Sequence, residues 1–189
     1  MFEFLVHSRV WDYTHRWWGW SVEYSYQVTS AVAGSAFVVL AFRLAARIAP
    51  ATPGLFLFGL FGGAYMQLFF GDVENYTLTA VVVTVYLLAA VRFLRGAAAL
   101  WEPAVMLGAA MSFHLLAGWL IPSLAYLGYI SWRRTGDYGP LVRSAWLALG
   151  VVVASVALWM GWTTEFEEEN GVRTYWGRDG VVDVSQDRN

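Results

Sequence analysis

The chain of 189 residues contains no cysteine. That excludes disulfides, thiolate catalysis and cysteine-based metal sites. Lysine is absent too, so all twelve basic residues are arginine. Charge is scarce overall: 14% of residues are charged, against about 25% in an average soluble domain. With a net charge of −2 and no basic patch, nothing points to nucleic acid as a partner. The sequence also has no Gly-rich phosphate loop, no nucleophile elbow and no HExxH pair. Residues 1–26 carry Glu3, Asp12 and Glu23 instead of the basic start and apolar core of a cleavable signal peptide. The first span is therefore expected to direct membrane insertion itself.

What the chain has in abundance is apolar length. Hydrophobic residues make up 58% and the mean hydropathy is +0.49. Several runs approach or exceed the roughly 20 residues needed to cross a bilayer core. The fold class expected is all-α: a polytopic transmembrane helix bundle of about six spans. These are read over 27–48, 53–70, 75–94, 99–113, 115–132 and 141–162, the fourth and fifth being interrupted near His114 and Gly118. Glycines 54, 59, 62 and 63 in the second run suggest close helix approach. Eleven tryptophans fit aromatic belts at the membrane interfaces.

Three regions are expected. Residues 1–26 form an interfacial segment, 27–162 the transmembrane domain, and 163–189 a polar tail. Within the first, Phe2, Val6, Val10, Tyr13, Trp17 and Trp20 recur at helical spacing, with Ser8, Asp12 and His15 off that stripe. This reads as an amphipathic helix lying in the interface plane. In the tail, Asn170-Gly171 between two polar runs predicts a hairpin turn, and Asp179-Gly180 a second turn. If the spans alternate, Arg43, Arg47, Arg92, Arg95, Arg133, Arg134 and Arg143 all fall on one face, expected to be cytoplasmic. The amphipathic helix, the turn at His114 and the tail then face outward. The setting expected is a bacterial or archaeal cell membrane.

One link stands out between the second and third runs: Phe69-Phe70-Gly71-Asp72-Val73-Glu74-Asn75-Tyr76. The runs on either side, 53–70 and 77–91, carry no charge at all. In an extended link, residues two apart point the same way. Asp72 and Glu74 then share a proton, orient a hydroxyl as general base, or hold a hard cation such as Mg²⁺ or Mn²⁺. The plainer reading is a solvated turn whose acids favour the start of the next helix. His114 at the turn of the short helix pair is a phosphate contact or proton donor, or else ordinary interfacial polarity. Arg16, with Arg9 and His15, either binds a lipid phosphate or anchors the first helix to head groups.

With those residues in view, the chain resembles part of a bacterial type C glycosyltransferase, a polytopic enzyme that uses sugars carried on a polyprenyl phosphate. The stretch from Phe69 to Tyr76 is similar to a short acidic outer link in that family. Residues 103–126, with His114 at their outer turn, resemble its short helix pair. The helix over 1–20 resembles the end of its large first outer loop. Family members carry about twice as many spans and a catalytic acid in that first loop, so the chain reads as a fragment or a reduced member, with missing spans or another membrane subunit as partner. The resemblance implies sugar transfer from a polyprenyl-phosphate donor to a lipid or protein acceptor at the outer face. Asp72 and Glu74 would be the catalytic pair and tentative metal ligands, with His114, Arg16, Asn75 and Tyr76 binding substrate. The competing class is a non-enzymatic membrane scaffold or assembly partner. A transporter is a third option, disfavoured by the lack of ionisable groups in mid-span.

Overall fold

A computed structural model describes residues 2–63, 66, 76–170, 175–177 and 180–182. The described chain is helical apart from a two-stranded ribbon. In order come α1 (Phe2–Trp18), α2 (Val22–Ile48), α3 (Pro53–Phe61), α4 (Thr77–Leu94) and α5 (Trp101–Phe113). A 3-10 turn (Leu115–Leu120), α6 (Ile121–Thr135), α7 (Gly139–Asn170), β1 (Tyr175–Gly177) and β2 (Gly180–Val182) follow.

The helix boundaries have local causes. Ser21 opens α2, its hydroxyl accepting from Tyr24 N at 3.2 Å, as an N-cap serine does. Proline sits in the first turn of α3 and of α6, where its missing N–H costs nothing. Gly136 closes α6 at φ +69°, a conformation that glycine adopts without strain. The three residues between α6 and α7 then reverse the chain.

Contacts at the helix ends fix the directions. At one end Arg95 donates to the Arg47 carbonyl. There too Arg134 donates to the carbonyls of Phe93 at 3.0 Å and Leu94 at 2.6 Å, and Arg92 pairs with Glu102 at 3.1 Å. This basic end holds the C-termini of α2, α4 and α6 and the start of α5. Helices α2, α4 and α6 therefore run parallel. Helix α5 returns between them to the opposite end, where His114 meets Tyr76. Arg43, Arg133 and Arg143 lie within about a turn of the basic end along their helices. The arginine sorting read from the sequence thus corresponds to a single end of the bundle.

Among the described residues, four helical stretches are long and apolar enough to cross a membrane: Val22–Ile48, Thr77–Leu94, Leu115–Thr135 and Gly139–Gly161. The chain is an α-helical polytopic membrane protein, and among its described residues four of the expected spans reach that length. Helix α3 has nine residues, roughly 14 Å at 1.5 Å per residue. The rest of the second expected span lies largely outside the described residues. Helix α5 has 13 residues, roughly 20 Å, and is enclosed by protein instead of lipid. It carries Ala104 and Ala110 with no exposed surface and Leu107 with almost none.

The core follows the small residues. Ala41 and Ala45 of α2 and Ala104 and Ala110 of α5 are fully buried, which lets backbones approach where lipid offers no hydrophobic drive. Two clusters flank them. Ala33 and Phe37 pack with Leu60, Phe61, Leu78 and Val81; Ala90, Phe93, Leu100 and Leu127 pack with Leu124 and Leu141. Three of the four glycines expected to do this work meet no other helix among the described residues. A side chain added at Gly54 or Gly59 would meet nothing within 4 Å, and at Gly62 only the Phe58 carbonyl of its own helix.

The tail differs from expectation as well. Helix α7 runs on through Asn170, so Asn170 is helical, while Gly171 lies outside the described residues. Residues 165–169, Glu-Phe-Glu-Glu-Glu, are mostly good helix formers and extend α7 past its apolar part. The hairpin comes later. Strands β1 and β2 are antiparallel with Gly177 opposite Gly180, so Gly180 stands in a strand, while Asp179 lies outside the described residues.

Candidate functional site at the end opposite the arginines

Helix α1 builds this end. Its partners are Thr77, Leu78 and Thr79 at the start of α4, Ser25 and Tyr26 near the start of α2, and Phe113 at the end of α5. All lie at one end of the bundle. Glu3 and Thr14 are eleven residues apart, roughly 17 Å along a helix, and reach two different helix starts. Helix α1 therefore lies across the bundle's end and does not run alongside a span.

The face it turns inward is the polar one. Glu3, His7 and Thr14 are buried, while Tyr13, Trp17 and Trp18 of the aromatic face are exposed. The stripe is split: Phe2 packs on Phe113, while its Tyr13 and Trp17 end is exposed. Glu3 caps α4 from a distance of 74 positions in sequence. Tyr76 stands at the N-cap of α4 and makes no side-chain capping bond. The Glu3 carboxylate instead accepts from Leu78 N at 2.9 Å, from Thr79 Oγ1 at 2.7 Å and from Thr77 Oγ1 at 3.4 Å. The positive end of the helix dipole adds to this. Burial pushes the Glu3 carboxyl above its usual range, with the Thr79 and Leu78 bonds pulling the other way.

His7 lies one turn further along α1, stacked on Tyr26 with ring centroids 4.0 Å apart and planes 7° from parallel. Both its nitrogens, Trp11 Nε1 and Ser30 Oγ are buried and lack a hydrogen-bond partner among the described residues. Unspent hydrogen-bonding capacity of this kind is costly without a partner. Burial pushes the His7 imidazole below its usual value. Thr14 Oγ1 and Ser25 Oγ share a hydrogen bond of 2.9 Å beneath α1.

A pH dependence follows from His7. A depressed pKa means that docking favours the neutral ring. The stabilisation is complete above the ordinary value of 6.5 and is lost as pH falls from there through the folded value. Glu3 acts in the opposite sense: its pKa is raised above 4.5, so its contribution is full below that value and lost as pH rises through the folded one. Hydrogen-exchange protection of α1, corrected for intrinsic rates, should fall on acidification from pH 7 to about 5.5. His7→Gln, which cannot titrate, should remove that fall. The same acid dependence in both proteins would exclude His7 as its source.

The residues singled out from sequence fare unevenly. Tyr76 and His114 are brought together, their rings 4.8 Å apart between centroids. His114 caps the 3-10 turn, its Nδ1 accepting from Leu116 N at 3.2 Å. Arg16 is exposed near the far end of α1. It sits roughly 21 Å along the helix axis from Phe2, which abuts Phe113, so Arg16 is not gathered with His114. Asp72, Glu74 and Asn75 lie outside the described residues. Among the described residues no three His, Asp or Glu side chains gather as a metal site.

Sequence reading overlooked Glu3, His7 and Trp11. Their signal was available: an acid, an imidazole and an indole N–H at i, i+4 and i+8 share one helix face, beside the aromatic stripe. Comparison with protein-family models, with curated proteins and with solved structures finds no match.

Proposed function

We propose that this protein is a membrane glycosyltransferase-like enzyme, acting on a polyprenyl-phosphate-linked sugar at the end of the bundle opposite the arginines. The observation that carries the reading is the Tyr76–His114 contact. It joins the last residue of the acidic link to the turn of the short helix pair, the two features on which the family resemblance rests, 38 positions apart in sequence. The unpartnered His7, Trp11 and Ser30 atoms nearby supply donors and acceptors of the kind a sugar or phosphate engages. By the positive-inside rule the arginine end is cytoplasmic and the reaction faces outward.

In the proposed chemistry Asp72 or Glu74 removes the proton from an acceptor hydroxyl. That oxygen attacks the anomeric carbon, and the bond from that carbon to the lipid phosphate oxygen breaks, leaving the polyprenyl phosphate as product. His114 would contact the phosphate as its charge develops. The proposal routes no step through a metal.

The test is sugar transfer in membranes containing the native protein, supplied with labelled polyprenyl-phosphate sugars. Asp72→Asn or Glu74→Gln should leave insertion intact and lower transfer by about 10²-fold, the size of a lost acid–base group. No turnover by the native protein of any such donor would remove the reading, and unchanged turnover in both variants would reduce the link to a polar turn.

A further inference from the structure

We propose that the basic end of the bundle carries a second site, which takes the phosphate of an anionic phospholipid. A cavity of about 530 Å³ opens there between α2, α4 and α5. Arg43, Arg47, Arg92 and Glu102 line it, and three guanidinium groups against one carboxylate leave a net charge of +2. The carboxylate is already committed: Glu102 pairs with Arg92 at 3.1 Å and accepts from Ala99 N at 3.2 Å. Arg43 and Arg47 have no ionic partner among the described residues. They stand one turn apart on α2, where like charges repel, in a concavity that raises the field between them. A bridging anion removes that repulsion.

The walls select the source of the phosphate. Leu40 lies about a turn below Arg43, Met106 a turn beyond Glu102, and Val85 two turns below Arg92, all in the same cavity. At 1.5 Å per residue, Val85 is roughly 10 Å deeper than Arg92. A charged mouth over an apolar floor fits a head group with its acyl chain, whereas a free phosphate ester would leave the floor unused. Trp101 at the mouth is 52% exposed, the position of an interfacial anchor. Basic pockets between helices on the cytoplasmic side bind anionic head groups in this way. The site lies at the far end from the proposed sugar chemistry and stands or falls independently of it.

The experiment is native mass spectrometry of the full chain, extracted from vesicles of phosphatidylglycerol and phosphatidylcholine in equal amounts. The native protein should retain phosphatidylglycerol preferentially. The double variant Arg43→Gln/Arg47→Gln should retain about 10-fold less, and Arg43→Lys/Arg47→Lys should keep most of it. Arg133→Gln removes a charge of the same end that lies outside the cavity, and should retain as much as the native protein. Equal retention by the native protein and the double glutamine variant would overturn the proposal. So would an equal loss in Arg133→Gln, which would mean a general surface attraction. Displacement of the lipid by inorganic phosphate at similar concentration would overturn the phospholipid as source. A shared circular-dichroism spectrum and elution volume establish that the glutamine and lysine variants are both folded.

Discussion

Replacing Glu3 by alanine is expected to release α1 from the bundle. The Glu3 carboxylate is almost completely buried and is held by Leu78 N, Thr79 Oγ1 and Thr77 Oγ1. Helix α4 has no cap of its own, because Tyr76 makes no side-chain capping bond. Truncating Glu3 strips the α4 start of its acceptor and leaves donors facing a cavity. Removing one partner of a buried, charge-assisted network costs about 3 kcal/mol, which is about 10²-fold in the docked-to-undocked ratio of α1. Tryptic cleavage after Arg9 and Arg16 reads that ratio when opening is fast relative to cleavage, so it should accelerate by about the same factor. Glu3→Gln keeps one carbonyl acceptor, and should accelerate cleavage only about 10-fold. Cleavage of Glu3→Ala at the native rate would mean that the aromatic contacts of α1, and not this cap, hold it in place.

The same helix shows what a sequence can and cannot disclose. Its helical period was legible, because period and aromatic content depend on α1 alone. Which face turns inward was not, since Glu3 is explained only by the uncapped start of a helix 74 positions away. The alternation of α2, α4, α5 and α6 was legible from the arginines, which collect at one end because only there do they reach water and head groups. The enclosure of α5 was not, because its burial is decided by α4 and α7 packing around it. In the candidate site, the neighbourhood of Tyr76 and His114 emerged from two separate motifs. The unpartnered atoms of His7, Trp11 and Ser30 did not, because each residue alone looks ordinary.

Gly108→Ala is expected to destabilise the protein by about 2 kcal/mol through overpacking, although alanine is the better helix former. An added Cβ at Gly108 would stand 2.6 Å from the Ala148 carbonyl oxygen and 3.1 Å from its Cα. Both are backbone atoms of α7, so no side-chain rotation relieves the contact and the two helices must part. Ala148→Gly should not rescue the variant, since the obstruction is backbone. Only 6% of the apolar stretch of α7 is buried, and at Gly108 its backbone stands directly against α5. For a chain of this size the cost corresponds to a melting temperature lower by about 4–8 °C, measured in detergent. Gly150→Ala is the internal control. That glycine lies on α7 with nothing within 4 Å, so the same change there should be neutral or stabilise by up to about 1 kcal/mol. Equal melting temperatures for the two variants would refute the claim that a glycine-mediated backbone contact sets the α5–α7 seam. The functional consequence follows from the position of α5. Its far end carries His114 against Tyr76, so parting α5 from α7 shifts that contact, and under the proposed function sugar transfer falls in Gly108→Ala but not in Gly150→Ala.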